Sequence, residues 1–268
     1  MMPAAALARL AIVGLALALP ARGAAPANAR DDTALSASAA VRLATLAERI
    51  AKLHAQIGQG ILVERSRRAL PETLRDFDTT LRSIAARGST PEIRENYVLL
   101  GLLWRDYREW ALKAPSRESA RKVRERCEEV VWIASKGARM IQEQSRASQS
   151  PWALRASNAA LLSQRIPKLY LWRRWDMRDE ALARELRESE ENLQRALDAL
   201  AASGANTPET TAEVEAAKSQ FRFMADAAKQ FDGGKAAQRQ QMEFIAKTGD
   251  HILEAMERAA RLFEHPRP

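Results

Sequence analysis

The chain repeats itself, and a repeat constrains the fold before any single residue does. Leu46-Ala47-Glu48-Arg49-Ile50-Ala51-Lys52-Leu53 returns 116 residues later within Leu162-Ser163-Gln164-Arg165-Ile166-Pro167-Lys168-Leu169-Tyr170-Leu171, and both share an Arg-Ile-x-Lys-Leu core. Thr90-Pro91-Glu92 returns as Thr207-Pro208-Glu209, 117 residues on, and Trp104 falls on Phe221 at the same offset. Trp132-Ile133-Ala134-x-x-Gly137 returns as Phe244-Ile245-Ala246-x-x-Gly249, 112 residues on. Matched blocks in one order indicate a duplicated module.

Each copy reads as helix. The apolar positions Leu43, Leu46, Ile50, Leu53, Ile57 and Ile61 step by 3, 4, 3, 4 and 4 residues, the stripe of a bundle helix. Ile93, Tyr97, Leu100, Trp104, Tyr107 and Ala111 follow the same rule, as do Val123, Cys127, Val130, Ala134, Gly137 and Ile141. Pro71 is a candidate kink or restart within the first helix. Gly88 suits a stop, Ser89 or Thr90 an N-cap and Pro91 a first turn; Ala114-Pro115-Ser116, Ser150-Pro151 and Thr207-Pro208 punctuate the chain in the same way. The expected fold is therefore all-α: an elongated bundle of about six helices from two three-helix repeats, residues 33–149 and 150–265. The short link at Gln149–Trp152 and a long fourth helix through Leu200 favour one body over two.

Residues 1–29 read as a secretory signal and linker. Arg9 provides the basic start, Leu10–Leu19 the apolar core, Pro20 the break, and Ala24-Ala25 or Ala27-Asn28-Ala29 the small residues. Ten apolar residues fall short of the roughly 20 that cross a bilayer. The expectation is an exported, periplasmic protein with no stable membrane span.

The formal charge is +8, but acids and bases interleave, as in Arg184-Glu185-Leu186-Arg187-Glu188, the pattern of solvated helix faces. No recognition helix, aromatic stacking run or basic tail points to nucleic acid. Cys127 has no disulfide partner and lies on an inward stripe, which suits a small buried hydrophobe. His54 has no metal-ligand residue at i+3 or i+4, His251 has only Glu254, and His265 lies in the tail, so all three read as structural or surface. With no nucleophile elbow, phosphate loop or zinc motif, neither an enzyme nor a cofactor is expected.

The run Ser163-Gln164-Arg165-Ile166-x-Lys168-x-Tyr170-Leu171 resembles the signature of the PilJ-type domain, the N-terminal sensor region of type IV pili methyl-accepting chemotaxis transducers. The NarX-like nitrate/nitrite sensor kinases carry it too, in a form close to A-G-R-Q-R-M-L-S-Q-R-x-x-K. The resemblance covers both copies, residues 37–263, and implies a periplasmic helical sensor module without catalysis, often dimeric. Where the family's nitrate-reading Arg stands before the Met, this chain has Ala160 and Ala44; the earlier signature Arg is Asn158 in one copy and Arg42 in the other. A guanidinium reads a planar anion bidentately and alanine does not, so nitrate is not carried over.

The candidate ligand-binding residues are Ser163, Gln164, Arg165 and Lys168, with Arg42, Arg49 and Lys52 as the first-copy set. They form either an anion or carboxylate patch facing a groove or partner subunit, or cations solvated or paired with acids on neighbouring helices. Pro167, absent from the first copy, frees the Ser163 carbonyl for a ligand or water, or simply steers the helix. Trp172 fits the inward stripe better than Trp175. Two function classes follow: a sensory or ligand-binding module relaying a small anion or carboxylate to a membrane receptor or through a homodimer, and a structural or adaptor bundle without a ligand.

Overall fold

Six of the described helix starts are set by an oxygen side chain capping a free backbone N–H. In the computed structural model, which describes residues 36–144, 150–175, 177, 179–229 and 235–265, Ser36 accepts from the Ala39 N–H at 3.0 Å and starts α1, Ala37–Gly58. Thr90 accepts from Ile93 and places Pro91 in the first turn of α3, Pro91–Leu112. Ser116 does the same for α4, Arg117–Gln144; Ser150 for α5, Pro151–Arg174; and Thr207 for α7, Pro208–Lys229. Helix α8 runs Lys235–Glu264. The signal stretch, residues 1–29, lies outside the described residues, as does Asp232-Gly233-Gly234, whose sequence suits a helix stop.

The described residues form eight helices, not six, and no strand. Two expected helices are each broken. The first ends at Gly58, and α2, Val63–Ala86, follows a turn in which Gly60 takes φ +72° and Leu62 φ +47°. Leu62 has a Cβ that the left-handed region disfavours, so this turn is held by its surroundings. The backbone of Ile61 donates to Gln56 at 2.9 Å while its side chain is fully buried. Pro71, the expected break, lies inside α2. The other break falls after α5, where the Asp179 carboxylate caps Leu182 at 2.6 Å and starts α6, Glu180–Ala201.

Helix α1 packs on α2, α4 and α5; α5 packs on α1, α6 and α8; α3 lies on α4 and α7 on α8. Residues 34–268 form one compact unit around this arrangement. Helices α1 and α5 run parallel. Arg42 and Thr45 share a cleft with Ser157 and Ala160, Lys52 bonds Gln164 halfway along, and Gln59 bonds the Leu171 carbonyl at the far end. Both helices are buried on nearly every face, as expected of elements at the centre of a core. The stripes of α3 and α4 point inward as their spacing requires, Cys127 among them. Trp104 stacks on Phe77 at 3.8 Å between ring centres and donates to Asp78, tying α3 to α2.

Candidate functional site

Because α1 and α5 are central, the polar residues of their repeated motif are taken out of water and must find partners inside the protein. Lys168 is fully buried. Its Nζ lies 2.6 Å from Glu48 Oε2 on α1 and 3.2 Å from Glu128 on α4, and 4.2 Å from the Trp172 ring centre. Arg165 Nε donates to the other oxygen of Glu48 at 2.7 Å and lies 3.7 Å from Glu185 on α6. One buried carboxylate thus serves two cations of α5.

The α1 motif makes a different set of contacts. Lys52, also fully buried, donates to Asp250 on α8 at 2.5 Å and to the Gln164 side-chain oxygen at 2.6 Å. Gln164 turns its amide nitrogen to the Gly249 carbonyl at 3.0 Å. Arg65 on α2 takes the second Asp250 oxygen at 3.1 Å. Arg49 makes no ion pair among the described residues, and its Nε is shielded from solvent with no acceptor.

The two lysines respond to these surroundings in opposite directions. Burial works against the charge of both. The carboxylates of Glu48 and Glu128 beside Lys168 oppose that burial and hold it above the ordinary lysine value. Lys52 is held below it, by burial first, with Asp250 opposing and Arg49 and Arg65 adding to the depression. Burial opposes ionisation of Glu48 and Asp250 as well, yet both carboxyls stay below their usual range because of the cations beside them. Burial pushes the Cys127 thiol far up, so it stays protonated and packs as a small hydrophobe.

Ser163 is buried and donates to the Ala160 carbonyl at 2.7 Å. Pro167 sits inside α5 without a break in the helix. The Ser163 carbonyl and the Pro167 ring abut Gly249, where an added Cβ would meet each at 2.7 Å. That carbonyl therefore faces the backbone of α8. The absence of a side chain at Gly249 is what lets α8 approach here.

Arg42 stands apart, at the other end of the seam. It pairs with Glu257 at 2.7 Å and lies 3.8 Å from Asp76. It lines a cleft of about 130 Å³ with Thr45, Ser157, Ala160, Glu257 and Arg261, drawn from both halves of the chain. Larger depressions, about 500 Å³ along α6 and α7 and about 350 Å³ along α3, lie away from the motif. No group of three or more potential metal ligands occurs among the described residues, and no described helix is long and apolar enough to cross a membrane.

Of the candidate residues, Gln164, Arg165, Lys168 and Lys52 converge on the seam with partners already in place, and Arg49 lies beside them without one. Glu48, Glu128, Glu185, Asp250 and Arg65 belong to the same assembly and were missed. Glu48 sits within the repeated block and is Gln164 in the other copy, so a charge difference at a repeated position was the readable signal. The remaining four come from other helices and no local spacing announces them. His54 is structural, buried with its ring nitrogens 3.2 Å from the Ala111 carbonyl and the Ser119 hydroxyl. Trp172 is fully buried and Trp175 half-buried.

No protein-family model, no curated protein and no solved structure matches the chain.

Proposed function

We propose that the chain is an exported sensory or ligand-binding helical module of the PilJ type, built from two four-helix repeats, that takes a small anion or carboxylate along its α1/α5 seam. Duplication is supported by the helix starts: Val63 and Glu180 are 117 residues apart, and so are Pro91 and Pro208. The observation that carries the ligand reading is the gathering of five cations, Arg42, Arg49, Lys52, Arg165 and Lys168, on the two helices that join the halves. The seam also ends in a cleft lined from both halves. The signal would pass to a partner. Trp132 and Phe244, at matched positions of α4 and α8, both stand in solvent and offer aromatic contacts to a receptor or a second copy.

A scaffold without a ligand is the second reading. It is favoured by the acids that already neutralise Arg165 and Lys168. Thermal unfolding with nitrate, nitrite, formate and acetate separates the two. Saturable stabilisation by one of them supports the module, and no response to any supports the scaffold. Light scattering tests the homodimer, and a monomer at high protein concentration removes it.

A further inference from the structure

We infer that the α1 half of the seam binds the carboxylate group of a small organic acid, held by Arg49 where Glu48 serves Arg165 in the other half. This rests on the ligand-binding reading above and gives it a site and a ligand class.

The two halves match position by position. Arg49 and Arg165 are 116 residues apart, as are Lys52 and Lys168, and Glu48 and Gln164. Beside α5, Glu48 divides its two oxygens between Lys168 and Arg165. Beside α1, the matching side chain is an amide with a single acceptor oxygen. Lys52 takes that oxygen at 2.6 Å, and the NH2 group turns to the Gly249 carbonyl. That leaves no acceptor for the Arg49 Nε, which is shielded from solvent.

The second acid is missing too. Glu185 lies 3.7 Å from Arg165, and 116 residues earlier, the offset at which the buried stripes of α2 and α6 match, the chain has Ala69. Arg165 and Lys168 meet three carboxylates, Glu48, Glu128 and Glu185. Arg49, Lys52 and Arg65 gather round Asp250 alone. What the α1 half lacks is one planar, singly charged acceptor.

A carboxylate supplies that, and a guanidinium receives it through paired N–H donors. Arg49 is half-buried and Arg65 exposed, so the position can be reached from solvent. Buried unsatisfied donors in native proteins call for such a partner.

The test is thermal unfolding of the full chain in acetate against chloride at constant ionic strength, with Gln164→Glu as the decisive variant. Its new carboxylate fills the position from within. The wild type is expected to gain stability saturably with acetate. The Gln164→Glu protein should melt higher without acetate and bind it at least about tenfold more weakly, the loss of roughly one charge-assisted contact. Arg49→Gln should also lose the response, and Arg42→Ala should keep it. An acetate response undiminished in Gln164→Glu and Arg49→Gln overturns the site. Should Arg42→Ala alone abolish it, the ligand sits in the terminal cleft, and the site is overturned while the ligand-binding reading stands. Saturation by nitrate at lower concentration than acetate overturns the carboxylate class. If nitrate, nitrite, formate and acetate all leave the wild type unchanged, the ligand-binding reading fails and takes this site with it.

Discussion

The α5 half of the seam is closed and the α1 half is open, although the same Arg-Ile-x-Lys-Leu core lies in both. On α5, two cations meet three carboxylates, and the buried lysine is held in its charged form. On α1, three cations meet one carboxylate, and the buried lysine is pushed towards losing its charge. The difference starts from one atom, the acceptor oxygen that Glu48 has and Gln164 lacks. A duplicated motif can thus keep its sequence and change its role through what faces it.

The largest effect on this comparison is expected on acidification. Glu48 and Asp250 both have carboxyls held below their unfolded values. Their contributions are present above the ordinary carboxylate pKa and are lost as pH falls through the folded values. Glu185 and Glu190, raised chiefly by burial, act in the opposite sense and offset part of the loss. Urea unfolding across the acid range should show stability falling steeply below the usual carboxylate range. A flat profile there would break the account of both halves.

Single substitutions should then rank the halves. Glu48→Ala removes the one fully buried acid that Arg165 and Lys168 share, leaving them only the more exposed Glu185 and Glu128, and is expected to cost about 3–5 kcal/mol. Asp250→Ala should cost less, because Lys52 keeps Gln164 and its pKa is already lowered. Equal losses in urea unfolding would contradict the asymmetry.

The two matched glycines should differ by less. At Gly249 a Cβ meets the Ser163 backbone carbonyl and the Pro167 ring, neither of which can swing away, so Gly249→Ala should cost about 1–3 kcal/mol. At Gly137 it meets the side-chain ends of Asn96 and Tyr97. These are side-chain rather than backbone atoms, and Gly137→Ala should cost less in the same assay.

Much of the fold was legible because its signals are local. The stripe from Ile93 to Ala111 and the caps at Thr90 and Ser150 depend on residues a few positions apart. The helix count was not, for physical reasons. Ile61 continues the α1 stripe and is fully buried although it lies in a turn, so the hydrophobic phase hides the break that Gly58 and Gly60 mark. Between α5 and α6 there is neither glycine nor proline, and only the Asp179 cap signals the restart. The motif's cations were visible in the sequence. That acids from α1, α4, α6 and α8 would meet them depends on which helices lie together, and periodicity fixes only which face of a helix turns inward.

The reciprocal exchange tests the central claim most directly, namely that one acceptor oxygen separates the halves. Unfolding midpoints of Gln164→Glu and Glu48→Gln are measured without ligand at neutral pH. Gln164→Glu should raise stability by on the order of 1 kcal/mol by satisfying Arg49, while Glu48→Gln should lower it by more. A Gln164→Glu protein no more stable than the wild type would show that Arg49 has no acceptor missing and would contradict the account.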